Sequence, residues 1–224
     1  MDKKQVKSKQ RVADHGEVFT ADREVQAMCD LVKDETENIF SRFLEPACGD
    51  GNFLAEILKR KLEVVKKKYK KSSYDYERYA LLTLGSIYGV DILIDNVIEC
   101  RARLYGIWEK QYKAVCKRDF NEDTCESAKY ILERNIVCGN ALSLQTVDEN
   151  GNDTDVPIVF SEWTFPFNDA RMQRSDYTFA ELLASDDGKE DEQQSIFDTD
   201  EDVDGEGKFL QKYISHYRRL KENG

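Results

Sequence analysis

The 224-residue chain has no apolar run approaching the roughly 18 residues needed to span a bilayer, so no membrane partner is expected. Its first residues, Met-Asp-Lys-Lys-Gln-Val-Lys-Ser-Lys, lack the apolar core of a secretory leader. Six cysteines, at 29, 48, 100, 116, 125 and 138, form no C-x-x-C pair. That spacing excludes the common structural metal sites and argues against a disulfide framework. Reduced thiols in a cytoplasmic protein are the expectation. Histidine is scarce, with only His15 and His216, and His15 reads as a loop residue bonded to nearby backbone. The dinucleotide fingerprint G-x-G-x-x-G fails because Gly49 and Gly51 are followed by Leu54. The phosphate-loop pattern is also missing, which favours a ligand without phosphates.

The net charge of −11 is unevenly distributed. Asp186 to Glu206 holds eleven acidic residues and one lysine, so the rest of the chain is close to neutral. The composition of 185–207 is that of a disordered linker between a domain over 1–184 and a basic amphipathic helix over 208–224. The helix reading rests on Phe209, Leu210, Tyr213, Ile214, Tyr217 and Leu220 falling on one side.

What is present centres on residues 42–54, Arg-Phe-Leu-Glu-Pro-Ala-Cys-Gly-Asp-Gly-Asn-Phe-Leu. They read as a buried strand ending at Glu45, a Gly-rich turn, and a helix from Asn52 to about Tyr69. Such a turn brings bare backbone amides close to a ligand. Upstream, Thr20 reads as the N-cap of a helix from Ala21 to about Lys33. Downstream, Ser86–Asp91 reads as a second buried strand ending in a carboxylate, suited to accepting bonds from a ribose diol. A helix carrying Ile94, Val97, Leu104 and Trp108 follows it. Residues 117–124 read as a charged loop and 127–133 as a short helix. A third strand covers 135–142, a polar loop 148–155, and a fourth strand 156–160. Strands alternating with helices predict an α/β fold with a mostly parallel sheet.

Phe-Leu-Glu-Pro-Ala-Cys-Gly-Asp-Gly-Asn-Phe-Leu resembles the S-adenosylmethionine motif of adenine-N6 DNA methyltransferases, notably the modification subunits of restriction systems. His15-Gly16-Glu17-Val18-Phe19-Thr20 is similar to that family's N-terminal motif. Ile87-Tyr88-Gly89-Val90-Asp91-Ile92 is similar to its ribose-binding strand end. Ile136 to Leu142 is similar to its adenine-side motif, where Asp is commoner than Asn140. The four segments stand in family order within residues 11–142. The resemblance implies a Rossmann-like methyltransferase fold, incomplete in its C-terminal half, with S-adenosylmethionine as cofactor. Its cofactor-binding residues would be Phe19, Thr20, Glu45, Pro46, Ala47, Cys48, Gly49, Gly51, Asp91, Ile92, Asn140 and Ala141.

The family's catalytic motif, (Asn/Asp/Ser)-Pro-Pro-aromatic, is not intact. Ser161-Glu162-Trp163 stands where it should begin, and Thr164-Phe165-Pro166-Phe167 is a second register. Ser161 is the candidate acceptor for an adenine amino group and Trp163 the candidate stacking face. The alternative is a plain strand continuing through Trp163. Only 55 residues follow Asp169, short of the family's further strands and target-recognition region. The resemblance therefore implies DNA as a partner only through another subunit. The rival expectation is a non-catalytic interaction module acting through a protein partner or a homodimer.

Overall fold

The computed structural model describes residues 20–186 and 210–223, so Phe19, His15 and the acidic stretch from 187 onward lie outside the described residues. The chain opens with helices α1 (Asp22–Leu31) and α2 (Lys33–Thr36). Ala21, not Thr20, occupies the N-cap of α1 and makes no side-chain cap bond. Thr20 is held elsewhere, because its carbonyl accepts a 3.0 Å bond from Asn52 Nδ2.

Strand β1 (Phe43–Glu45) leads through the glycine turn into α3 (Asn52–Tyr69), with the bounds the apolar spacing predicts. Ile57, Leu58, Leu62 and Val65 form its buried side. Helix α4 (Ser73–Gly85) starts at Ser73 because Ser72 caps it by accepting from Asp75 N. Strand β2 (Ile87–Asp91) is buried throughout. Helix α5 (Ile94–Cys116) follows and packs Val97, Leu104, Trp108 and Tyr112 inward. Asn121 caps α6 (Glu122–Asn135) by accepting from Asp123 N and Thr124 N, converting most of the expected loop and short helix into four turns. Strand β3 (Ile136–Asn140) completes the first half.

β1, β2 and β3 pair in parallel, in that spatial order. The sheet continues antiparallel through β4 (Gln145–Val147) and β5 (Asp153–Pro157), giving a five-stranded mixed sheet. The α/β class holds, and the parallel part is confined to three strands. β1 is an edge strand with Leu44 39% exposed, so the expected buried strand is only half covered. Of the expected polar loop at 148–155, residues 148–152 are the tip of the β4–β5 hairpin and 153–155 already belong to β5, a hairpin invisible to a search for apolar alternation.

The expected fourth strand divides. Pro157 ends β5, and β6 (Val159–Thr164) enters a second, antiparallel sheet with β7 (Arg171–Thr178) and β8 (Gln211–His216). Helix α7 (Phe179–Asp186) follows β7. Within the expected C-terminal helix, Gln211–His216 is strand β8, paired with β7 from Arg171↔His216 to Asp176↔Gln211, and among its described residues only Leu220–Asn223 is helical, as one 3-10 turn. Ser215 and Tyr217 turn inward at the two-residue period of a strand, and the ladder overrides the helical moment. The face of β2 carrying Tyr88 and Val90 packs on Ile158, Phe160 and Phe179. The opposite face carries Gly89, where an added Cβ would press on Leu54 and Cys48. Among the described residues, no helix is long and apolar enough to cross a membrane.

Candidate functional site

Because β1, β2 and β3 are parallel, their last residues, Glu45, Asp91 and Asn140, reach the same sheet edge. A cleft of about 530 Å³ opens there, a volume ordinary for small-molecule sites. It is lined by Thr20, Glu45, Pro46, Ala47, Cys48, Gly49, Asp91, Ile92, Asn140 and Ala141, which the sequence singled out. Asp50, Asn52, Phe53, Leu93, Asn96, Gly139 and Leu142 complete the wall and were not anticipated. Of these, Asp50 and Asn52 lie within the glycine motif itself. Asn96 lies in the first turn of α5, five residues past Asp91, and carries no local signal.

The bend is built around Asp91. Its Oδ2 accepts from Gly49 N at 2.9 Å, and Oδ1 accepts from Leu93 N at 2.9 Å and Asn96 Nδ2 at 3.1 Å. The carboxylate thus joins the glycine turn to the start of α5. With two donors on Oδ1 and one on Oδ2, an acceptor position remains on Oδ2. Two more of the turn's amides are engaged: Cys48 N donates to Val90 O on β2 and Gly51 N to Cys48 O, at 2.9 and 2.8 Å. The amides of Cys48, Gly49 and Gly51, which the sequence predicts to be bare, are instead bonded within the protein.

Gly51 is not in the cleft wall. It caps α3 with φ +83°, and a Cβ there would lie 2.6 Å from Cys100 Sγ. Its role is to let α3 and α5 approach. Behind the turn, Arg103 of α5 pairs with the Asp50 carboxylate and with Asn52 Oδ1. Asn52 in turn holds the Thr20 carbonyl. A side chain 51 residues downstream therefore fixes the wall, and nothing in local sequence indicates it.

The electrostatics are one-sided. Among the described residues, Glu45, Asp50 and Asp91 line the cleft and no lysine or arginine does, with Asp50 paired to Arg103 behind the turn. Burial pushes the Glu45 carboxyl above its ordinary value, against a lowering bond from the Ala47 backbone. The Cys48 thiol is raised far above its ordinary value, first by its bond with Cys100 and then by burial, so it is not a nucleophile. Asn140 Nδ2 donates to Asp153 Oδ1 at 2.9 Å and its Oδ1 accepts from Leu142 N at 3.0 Å, fixing the third corner of the cleft.

Ser161 and Trp163 lie elsewhere. Both sit on β6, which runs straight through Trp163 as a plain strand. Ser161 is fully buried, donates to Asp176 Oδ1 at 2.6 Å and accepts from Arg134 Nε at 3.1 Å. Trp163 packs on Gly85 and edge-on against Tyr130. Neither side chain lines the cleft, nor does any residue of the second register. In that register Phe165 packs on Arg78 and Tyr217, and Phe167 lies under Arg171. The missing paired prolines are consistent with this, since a hydrogen-bonded central stretch of β6 stands where the motif would turn. No protein-family model, curated protein or solved structure matches the chain.

Proposed function

We propose that the chain is a Rossmann-like, methyltransferase-type module that binds S-adenosylmethionine in the cleft at the ends of β1, β2 and β3. The observation that carries this reading is the Gly49–Asp91 bond, which puts the acidic end of the second strand against the glycine bend. The open position on Asp91 Oδ2 suits one ribose hydroxyl. The Glu45 carboxyl, half-buried and with no cation paired to it among the described residues, suits the ammonium of a methionine group. Among the described residues the wall carries three carboxylates, of which Asp50 is paired with Arg103, and no basic side chain, which disfavours phosphates and favours a ligand that carries a sulfonium and an ammonium. Asn140 and Ala141 would face the adenine, and Thr20 the methionine end. The cofactor would supply an electrophilic methyl group. The protein's own part would be to orient it and to exclude water.

Of the two activities this module can serve, cofactor binding within a partnered assembly is favoured over autonomous adenine-N6 methylation of DNA. The burial of Ser161 and Trp163 supports that choice, because neither presents an acceptor or a stacking face to the cleft. A restriction-modification or phage-defence complex, with target recognition on another chain, is the setting this implies. Equilibrium dialysis tests ligand class: S-adenosylmethionine should bind and ATP should not. Tight ATP binding would overturn the reading. Labelled-methyl transfer to unmethylated genomic DNA should remain at background for the chain alone, and Ser161→Ala should not change it. Incorporation above background that Ser161→Ala abolishes would restore the catalytic assignment.

A further inference from the structure

We propose that the end of the molecule opposite the cleft is a nucleic-acid-binding surface, one that takes a phosphate backbone through the C-terminal ends of α3 and α5. The cleft lies at the start of α3, whereas the basic residues collect at its far end. Lys67, Lys68, Lys70 and Lys71 are all exposed. In the sequence they belong to a longer basic run, but the fold sorts that run. Lys61 is withdrawn into the core, where its ammonium bonds to Ile39 O, Ser41 O and Ser86 Oγ. Arg60 is drawn to Asp30 and Glu56, and Lys59 to Glu56. What remains is concentrated at one end.

Helix α5 brings further cations to the same place. Gln111 Nε2 donates to Leu62 O and Glu63 Oε1 at 3.3 and 2.9 Å, which sets the last turns of α3 and α5 side by side. Ser73 Oγ donates to Asp119 Oδ2 at 2.6 Å, which seats the turn after α3 against residues 117–119. Exposed Lys117 and Arg118 therefore join the four lysines. One or two cations at a helix end would complement its dipole, worth about 0.3–1 kcal/mol each. Six exposed cations around one corner exceed that need.

The surface favours a phosphate backbone over an acidic protein because it has almost no exposed apolar centre. Protein interfaces carry an apolar core, and the only large exposed apolar residue between 66 and 119 near this corner is Tyr74. A phosphate backbone is recognised by charge alone. The assignment does not depend on the cofactor reading, since none of these residues lines the cleft.

The test is fluorescence anisotropy of a labelled 20-base-pair duplex with the full chain, titrated across salt concentrations. The four lysines are reversed together in Lys67→Glu/Lys68→Glu/Lys70→Glu/Lys71→Glu, with circular dichroism confirming the fold. Wild type should bind with a log–log salt slope of about −3 to −4, as for roughly four neutralised phosphates. The quadruple variant should lose at least tenfold in affinity and most of that slope. Wild-type binding that is absent or insensitive to salt would overturn the proposal, as would undiminished binding by the variant. Polyglutamate displacing the duplex at equal charge concentration would also overturn it, assigning the surface to an acidic protein instead.

Discussion

Asp91 holds the bend together and, on the proposed function, also grips the ligand. Removing it takes away three hydrogen bonds to a charged acceptor that is 9% exposed. Asp91→Ala should therefore cost about 3 kcal/mol of stability in denaturant titration. Glu45 offers a cleaner probe of the ligand, because it supports no turn bond beyond Ala47. Its carboxyl is raised in the free protein, so a bound ammonium should favour its ionised form. Cofactor affinity should then rise as pH increases through the Glu45 titration, above the ordinary carboxylate range of about 4.3. Glu45→Gln should flatten that rise, and an identical pH profile in the variant would remove Glu45 from the site. Gly51 tests packing. Gly51→Ala forces a side chain into left-handed backbone, about 1–2 kcal/mol, and against Cys100, about 1–3 kcal/mol more. The double variant with Cys100→Gly should recover the steric part alone, a separation readable in thermal melts. Sequence makes the glycines, Glu45 and Asp91 legible because their roles are local. Arg103 and Asn96 act through bonds that exist only after α5 docks.

At the scale of elements, α3 is the best-defined piece and also carries the least expected side chain. Its length is written in apolar spacing and in the glycine before it, so its bounds are readable. The burial of Lys61 is not, since a lysine in a basic run reads as solvated. Burial lowers the Lys61 pKa to about 7, with Glu35 acting weakly the other way. The unfolded value is about 10.4, so between these limits the unfolded chain binds the extra proton. Stability should therefore rise from about pH 7 to about pH 10 through this group and show no Lys61 contribution to the slope below pH 7. Comparing Lys61→Met with wild type across that window isolates the effect from the cysteines, and parallel pH curves would contradict it. The strands of the second sheet are hard to read for another reason. β7 is Arg-Met-Gln-Arg-Ser-Asp-Tyr-Thr, whose Arg174 and Asp176 are buried at 5% each. Their charges are met by Asp176–Arg134 at 3.0 Å and by Arg174 stacked over Tyr213 at 3.9 Å. No alternation of hydropathy marks such a strand.

For the whole molecule, the decisive long-range bond set is at Glu77. This carboxylate is fully buried on α4 and accepts from Tyr112 OH at 2.5 Å, Tyr217 OH at 2.7 Å and Arg218 Nη2 at 2.7 Å. Two of those donors come from the C-terminal segment, 140 residues away, so the end of the chain clasps the helical half. Ending the chain after residue 209 would strip β8 from its sheet and leave Glu77 largely uncompensated. A loss of at least about 3–5 kcal/mol is expected in chemical denaturation, and a wild-type midpoint would refute this clasp. The cleft half was legible because its signals follow chain order, whereas the clasp depends on a segment whose helical spacing concealed a strand. The central claim concerns the cleft, and isothermal titration calorimetry with S-adenosylmethionine tests it most directly. One molecule should bind per chain, and affinity should fall by about 1.5–3 kcal/mol, tenfold or more, in a folded Asp91→Ala variant. Wild-type protein that gives no binding, or a folded variant that binds as tightly, would contradict the account.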